Sequence, residues 1–369
     1  MKQAEEFYNF DTVYINNAMK DHQRVSRILS RIRNTPQIVY VDDVNSLLSS
    51  QEIVHNPADR SRRLLLTDIR GEILRKCPCT HGHIPCNYYI INIYVGCPLG
   101  CSYCILQSYL SQPMNIIVVD IENVFAELDR TFRENPDHFY RIGTCESGDS
   151  LMYDGLTGYS TECADFIRRY DNAMLEFKTK TTYIEPIFSV EPTPNMVYGF
   201  SLNPDIVIEN EELYTARLDE RIDALVRLSE AGYTIALHFD PIVAVPDFEQ
   251  HYGECIKRIM KNIRRDKVAW VGMGTFRYPP ELKTMMDYNY PQSKLPSGEF
   301  IACEDKKFRY LLPSRVRYYR FVRETVSQYL PQVPIFMCME SGEAWQRALG
   351  GLPKKDGELS VIFKRMHNS

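Results

Sequence analysis

The 369 residues predict an α/β protein whose parallel sheet curls into a partial, open TIM-like β/α barrel. Three observations predict it. Over about 190 residues from residue 88, stretches rich in β-branched and aromatic residues alternate with amphipathic stretches six or seven times. That is the rhythm of parallel strands joined by crossover helices. The count falls short of the eight units of a closed barrel. A glycine-flanked loop with three cysteines, CPLGCSYC (97–104), directly follows the first of these strands, and ligands of parallel sheets gather at the carboxyl ends of strands.

Taken in order, residues 1–85 are an N-terminal extension. SRILSRIRNTPQIVYVDDV reads as a short helix and then a strand, and ADRSRRLLLTDIRGEILRKCPC is basic and ends in cysteines. The barrel is placed at 86–275. YYIINIYV (88–95) is its first strand, followed by the cysteine loop and a short helix, and NIIVV (115–119) its second. IENVFAELDRTFREN is a helix, because Ile121, Val124, Phe125, Leu128 and Phe132 recur at helical spacing. FYRIG (139–143) is the third strand. Next come a helix in TECADFIRRYDNA, then strands in MLEFKTK and VYGFSLN (197–203). RLDERIDALVRLSEAGY is an amphipathic helix stopped near Gly232. It leads into TIALHFD, the helix HYGECIKRIMKNIRRD and the strand VAWVGMGTF. In this arrangement the cysteine loop, Cys145, Asn203 and Asp240 all follow strands and converge on one face. Residues 276–369 are a C-terminal extension with a basic, aromatic stretch, a helix around 315–330 and the strand PIFMCM.

Composition bounds the function. Hydrophobic residues at 44% and charged residues at 25% are the balance of a folded globular chain. No apolar run reaches the roughly 18 residues that span a bilayer, and MKQAEEFYNFDTVYINN has no signal-peptide pattern. The expectation is a cytoplasmic protein with no membrane partner. A net charge of −5 argues against a dedicated nucleic-acid binder. Eleven cysteines cannot all pair, and six lie between Cys77 and Cys104. In a reducing compartment such clustering means metal binding or chemistry more often than disulfides.

Three thiolates at C-x3-C-x2-C suit iron better than zinc. Structural zinc takes four ligands, usually as two pairs. Cys97, Cys101 and Cys104 can hold three irons of a 4Fe–4S cube and leave the fourth iron open to a small molecule. Just upstream, KCPCTHGHIPC holds Cys77, Cys79, His81, His83 and Cys86, a second ligand-type group. Residues 306–323 carry seven Lys/Arg, no acid and five aromatics, a composition that can neutralise phosphates and stack on bases.

The cysteine motif, with Tyr103 before its last cysteine, resembles the radical S-adenosylmethionine enzymes. The order of CPLGCSYCILQSYL, TCESGDSLMYDGLT, FKTK, FSLN and AGYTIALHFDPI resembles the spore photoproduct lyase-like family over roughly 85–340. The resemblance implies a 4Fe–4S cluster on Cys97, Cys101 and Cys104, and S-adenosyl-L-methionine as cofactor. It implies repair of a UV-induced thymine dimer in DNA by a 5′-deoxyadenosyl radical. It also implies an electron donor such as flavodoxin or ferredoxin. Carried over by position, Cys145 is the hydrogen donor and Tyr103 a relay. Glu146, Lys180, Ser201 and Asn203 line the S-adenosylmethionine site, and Arg309 and Tyr310 sit near a DNA-contacting hairpin. One departure stands out: the lyases carry a second tyrosine directly after the third cluster cysteine, where this chain has Ile105. Two other readings remain open at this point, a radical enzyme of the same type acting on another nucleotide or RNA, and a zinc-containing nucleic-acid-binding protein without chemistry.

Overall fold

The computed structural model describes residues 7–50, 62–69, 71–79, 82–110, 114–144 and 146–352. Its first strands are β1 (Thr12–Asn16), β2 (Gln37–Val41), β3 (Arg63–Thr67), β4 (Arg75–Lys76), β5 (Tyr88–Ile90), β6 (Tyr94–Val95) and β7 (Asn115–Val118). The middle of the chain carries β8 (Tyr140–Gly143), β9 (Ala173–Thr179), β10 (Met196–Ser201), β11 (Thr234–Ile242) and β12 (Val268–Thr275). The last third adds β13 (Arg277–Tyr278), β14 (Phe300–Ala302), β15 (Phe308–Tyr310) and β16 (Ile335–Met337).

The main sheet runs β16-β12-β11-β10-β9-β8-β5-β4. Every pairing in it is parallel except β4 with β5. Strands covered on both faces read as continuous apolar runs, and every residue of β10 and β12 is buried. Crossover helices at Tyr159–Ile167, Leu218–Glu230 and Phe248–Asn262 match the amphipathic stretches read from sequence. The sheet is a curled, open half-barrel. Its two edges meet at one end, where His83 bridges Ser341 and Ile84 N–H donates to the Glu340 carbonyl at 3.0 Å.

Two strand assignments need correction. YYIINIYV is not one strand. Ile91 N–H still donates to the Gly143 carbonyl beside β8 at 3.0 Å, while the Ile93 carbonyl already accepts from Val118 N–H at 3.1 Å. The chain changes sheets across Asn92, and an unbroken apolar run hides the change. The NIIVV strand, β7, also leaves the barrel. It joins a second sheet of order β2-β1-β3-β7-β6, parallel apart from the β6–β7 pair. The strand that replaces it as a parallel barrel member is β16, from the C-terminal extension.

Contacts cross the boundary expected at residue 85. β3 pairs directly with β7, and one apolar core includes Val13, Ile15 and Leu64 together with Ile117, Phe177, Leu237 and Val271. The last third also holds a small antiparallel sheet, β13-β15-β14, and the helices Pro280–Asn289, Leu312–Ser327 and Gly342–Leu349.

Candidate active site

The cysteine loop leaves β6 and returns through the short helix Leu106–Tyr109 to β7. Glycine is required at its two bends. Gly96 has φ +96°, and a Cβ there would lie 2.1 Å from Asn115 Oδ1. Gly100 has φ +62°, with Tyr214 Cδ2 3.0 Å from where a Cβ would be. Both conformations are ones that side chains disfavour. The loop is pinned on two sides. Gly96 N–H donates to the Ser147 carbonyl at 2.7 Å, Ser102 N–H to the Glu211 carbonyl at 2.8 Å, and Tyr214 N–H to the Leu99 carbonyl at 3.1 Å.

Cys97, Cys101 and Cys104 line one cavity of about 190 Å³ with Glu146, Asp149, Lys178, Lys180, Ser201 and Asp240. The donor set is chemically apt for iron and sulfide. All three donors are thiols, and a cube takes each thiolate on a separate iron. Burial pushes the Cys97 and Cys101 thiols up. Loading iron would release their protons.

Under the loop lies a fully buried ion pair, Glu212 with Arg221. Tyr103 Oη and Arg221 Nη2 donate to Glu212, as does Asn203 Nδ2 at 3.1 Å. Burial alone would raise this carboxyl. The charges of Arg221 and Lys180 and the hydrogen bonds from Tyr103 and Arg221 outweigh it and hold Glu212 at about 2. Asn203 is committed on both sides, since its Oδ1 accepts from Tyr252 Oη at 3.0 Å.

A larger cavity of about 470 Å³ shares Tyr103, Cys104, Ile105, Glu146, Lys180 and Asp240 with the first. It adds Tyr109, Thr275, Arg277, Lys307 and Met339. Arg277 Nη1 lies 3.4 Å from Asp240 Oδ1, and Arg75 pairs with Glu146. Burial raises Glu146 and lowers Lys307. Ile105 is 40% exposed at this wall, and Tyr109, one helical turn later, is 62% exposed beside it.

The structure thus brings Cys97, Cys101, Cys104, Tyr103, Glu146, Lys180 and Ser201 to one place. Asn203 lines neither cavity and instead orients Glu212. Cys145 lies outside the described residues. Arg309 and Tyr310, expected near a DNA-contacting hairpin, lie on the β14–β15 hairpin with their side chains buried. Arg309 is 0% exposed and its guanidinium is held by Asp305 at 2.5 and 2.7 Å. Tyr310 is buried, with its hydroxyl accepting from Ala244 N–H at 3.1 Å. The stretch 306–323 contains no acid, but the fold brings acids to it: Asp305 to Arg309, Glu340 to Arg315, Glu249 to Arg317. Its member that reaches the cavity is Lys307. Glu212, Arg221, Lys178, Arg277 and Tyr109 escaped the sequence reading. FKTK pointed to Lys178, while nothing local marks the other four.

An open β/α barrel with a three-thiol loop at the carboxyl ends of its strands is the architecture of the radical S-adenosylmethionine enzymes. The family model described as spore photoproduct lyase matches residues 70–327, and the chain belongs to that family. It is 27% identical over 220 residues to spore photoproduct lyase of Bacillus subtilis (strain 168) and 25% identical over 218 residues to that of Geobacillus sp. (strain Y412MC61). Each match covers 58% of this chain and 64% of the relative, less than two thirds of the relative's length. The fold is similar to that of solved spore photoproduct lyase structures. One, a mutant with dinucleoside spore photoproduct, gives a TM-score of 0.76 at 18% identity, covering 89% of this chain and 98% of that one. Another, a mutant with bound AdoMet and dinucleoside spore photoproduct, gives 0.76 at 18% identity, covering 88% and 98%.

Proposed function

We propose that this protein is a radical S-adenosylmethionine lyase that repairs spore photoproduct, a thymine dimer, in DNA. The observation that carries the reading is one cavity in which the three loop thiols face Lys180 and Ser201, in a chain of the spore photoproduct lyase family. Cys97, Cys101 and Cys104 would hold a 4Fe–4S cluster. When bound, it would supply the single electron for reductive cleavage of S-adenosylmethionine, the radical chemistry that acts on the methylene bridge of the lesion.

The chain's own residues do the rest. Lys180 meets the methionyl carboxylate as a point charge. Glu146, kept in place by Arg75, accepts from the methionyl amine, and Ser201 positions the cofactor. Glu212 and Arg221 fix the loop from beneath and keep the Tyr103 hydroxyl occupied. The larger cavity takes the lesion, with Arg277 and Lys307 toward its phosphate. Cys145 returns a hydrogen atom to the product radical, because a thiol S–H is weak and sulfur polarizable. Reducing equivalents come from a protein donor of the flavodoxin or ferredoxin kind. Among the described residues no helix is long and apolar enough to cross a membrane.

One observation favours a second reading, a different nucleotide substrate: the wall position that carries a tyrosine in the lyases is Ile105, exposed to the cavity. The test is anaerobic. Iron and sulfide are loaded, the protein is reduced, and S-adenosylmethionine is added with an oligonucleotide carrying spore photoproduct. Thymine recovery is followed by mass spectrometry. Recovery that vanishes in Cys101→Ala supports repair. 5′-Deoxyadenosine without thymine recovery defeats the repair reading and leaves the radical chemistry.

A further inference from the structure

Four cysteines stand apart from the loop of the candidate active site. Cys77, Cys79 and Cys86 belong to the β4–β5 hairpin, and Cys338 directly follows β16. Nothing in the reaction proposed above uses them. Two pairing registers bring them together. In the hairpin, Arg75 faces Ile90 and Lys76 faces Tyr89, and Cys77 N–H donates to the Tyr88 carbonyl at 2.8 Å. Cys79 and Cys86 lie two residues further along the two arms, beyond the paired residues. At the meeting of the sheet edges, His83 faces Ser341 and Ile84 N–H donates to the Glu340 carbonyl at 3.0 Å. Cys86 and Cys338 lie two residues from this contact on its two sides.

The electrostatics agree with this placement. Burial raises the Cys77 thiol, and the nearby charges of Cys86, Cys338 and Cys79 raise it further. Burial pushes Cys338 up to about 12, with Arg277 opposing and Asp240 and Cys86 adding to the rise. Arg277 Nη2 also donates to Cys338 Sγ at 3.4 Å. Cys77 is thus a neighbour of Cys79, Cys86 and Cys338, and Cys338 of Cys86, with no disulfide among the four.

We propose that Cys77, Cys79, Cys86 and Cys338 form a second thiolate metal centre, which holds an iron–sulfur cluster at the mouth of the larger cavity. Four thiolates are a complete ligand set for a cube. The neighbours Pro78 and Met339 both line the larger cavity. The centre would staple the hairpin to the end of β16, closing the two sheet edges beside the substrate.

The test uses the full chain with Cys97, Cys101 and Cys104 all changed to alanine, so that the active-site loop binds nothing and the outcome does not depend on the proposed reaction. Iron, zinc and sulfide are counted after anaerobic loading, with Mössbauer spectra for cluster type. The expected result is about four irons and about four sulfides per chain. Adding Cys86→Ser or Cys338→Ser should abolish them, while adding Cys303→Ser should not. About one zinc per chain without sulfide would keep the centre and overturn the cluster. A metal-free triple variant with unchanged circular dichroism overturns the proposal outright. The metal content of the triple variant carries the test even if a further substitution fails to fold.

Discussion

The loop at 97–104 and the stretch at 306–323 are both short, compositionally extreme and close to the same cavity, yet they behave oppositely. The loop's chemistry is local. Its three thiols, two obligatory glycines and following helix lie in one run of chain, so their spacing alone nearly fixes what they can hold. Three of the seven positive charges in the basic stretch, Arg309, Arg315 and Arg317, are met by Asp305, Glu340 and Glu249, two of them from far along the chain. A ligand set within eight residues survives folding as a unit. A charge pattern acquires meaning only when the fold has chosen its partners.

The sharpest break of this comparison is Cys101→Ala. It should abolish cluster assembly and 5′-deoxyadenosine formation together, read by visible absorbance and product analysis. Next is the support under the loop. Glu212→Gln leaves Arg221 buried without its countercharge, which should destabilise the fold by about 3–5 kcal/mol in urea titrations. Arg309→Ala tests the other region and should likewise lower stability by about 3 kcal/mol, while the salt dependence of DNA binding stays unchanged. Lys307→Ala should do the reverse, leaving stability near wild type and reducing the slope of log affinity against log salt by about one. If Arg309→Ala alone reduces that slope, the stretch is a DNA surface after all. The last effect is in pH. Glu212 sits at about 2, below its unfolded value. Its contribution is therefore complete above the unfolded value of about 4.3 and is lost as pH falls from there toward 2. Urea titrations between pH 6 and 3 should show the first part of this loss, about 2 kcal/mol, in wild type and not in Glu212→Gln.

Much of the barrel was legible because its strands and helices each bury one continuous pattern. The helix Ile121–Glu134 buries Ile121, Val124, Leu128 and Phe132 as its spacing predicts. The change of sheet at Asn92 was not legible, because period and composition are the same on both sides of it. The place of β7 beside β3 is a long-range pairing that no local pattern encodes. In the site, Lys180, Ser201 and Glu146 were found through motif order. Glu212 and Arg221 were missed because a buried pair nine residues apart looks like two solvated charges in a helical stretch. The ion pair of Arg309 with Asp305 was equally unmarked, because a basic run does not show which acid the fold sets against it.

The path of the chain through the two sheets bears on how such a protein can change. The cysteine loop hangs between β6 and β7, both members of the N-terminal sheet, while Lys178, Lys180 and Ser201 project from β9 and β10 of the barrel. The jaws of the site are thus mounted on different frames. The first seventy residues are no detachable module, since β1 and β3 hold the frame on which the loop is hung. Exchange or deletion of that segment would misalign the jaws even with every cavity residue left in place. Variation in this lineage should therefore be tolerated at the cavity walls, as at Ile105, sooner than in the distant strands that set the gauge between them.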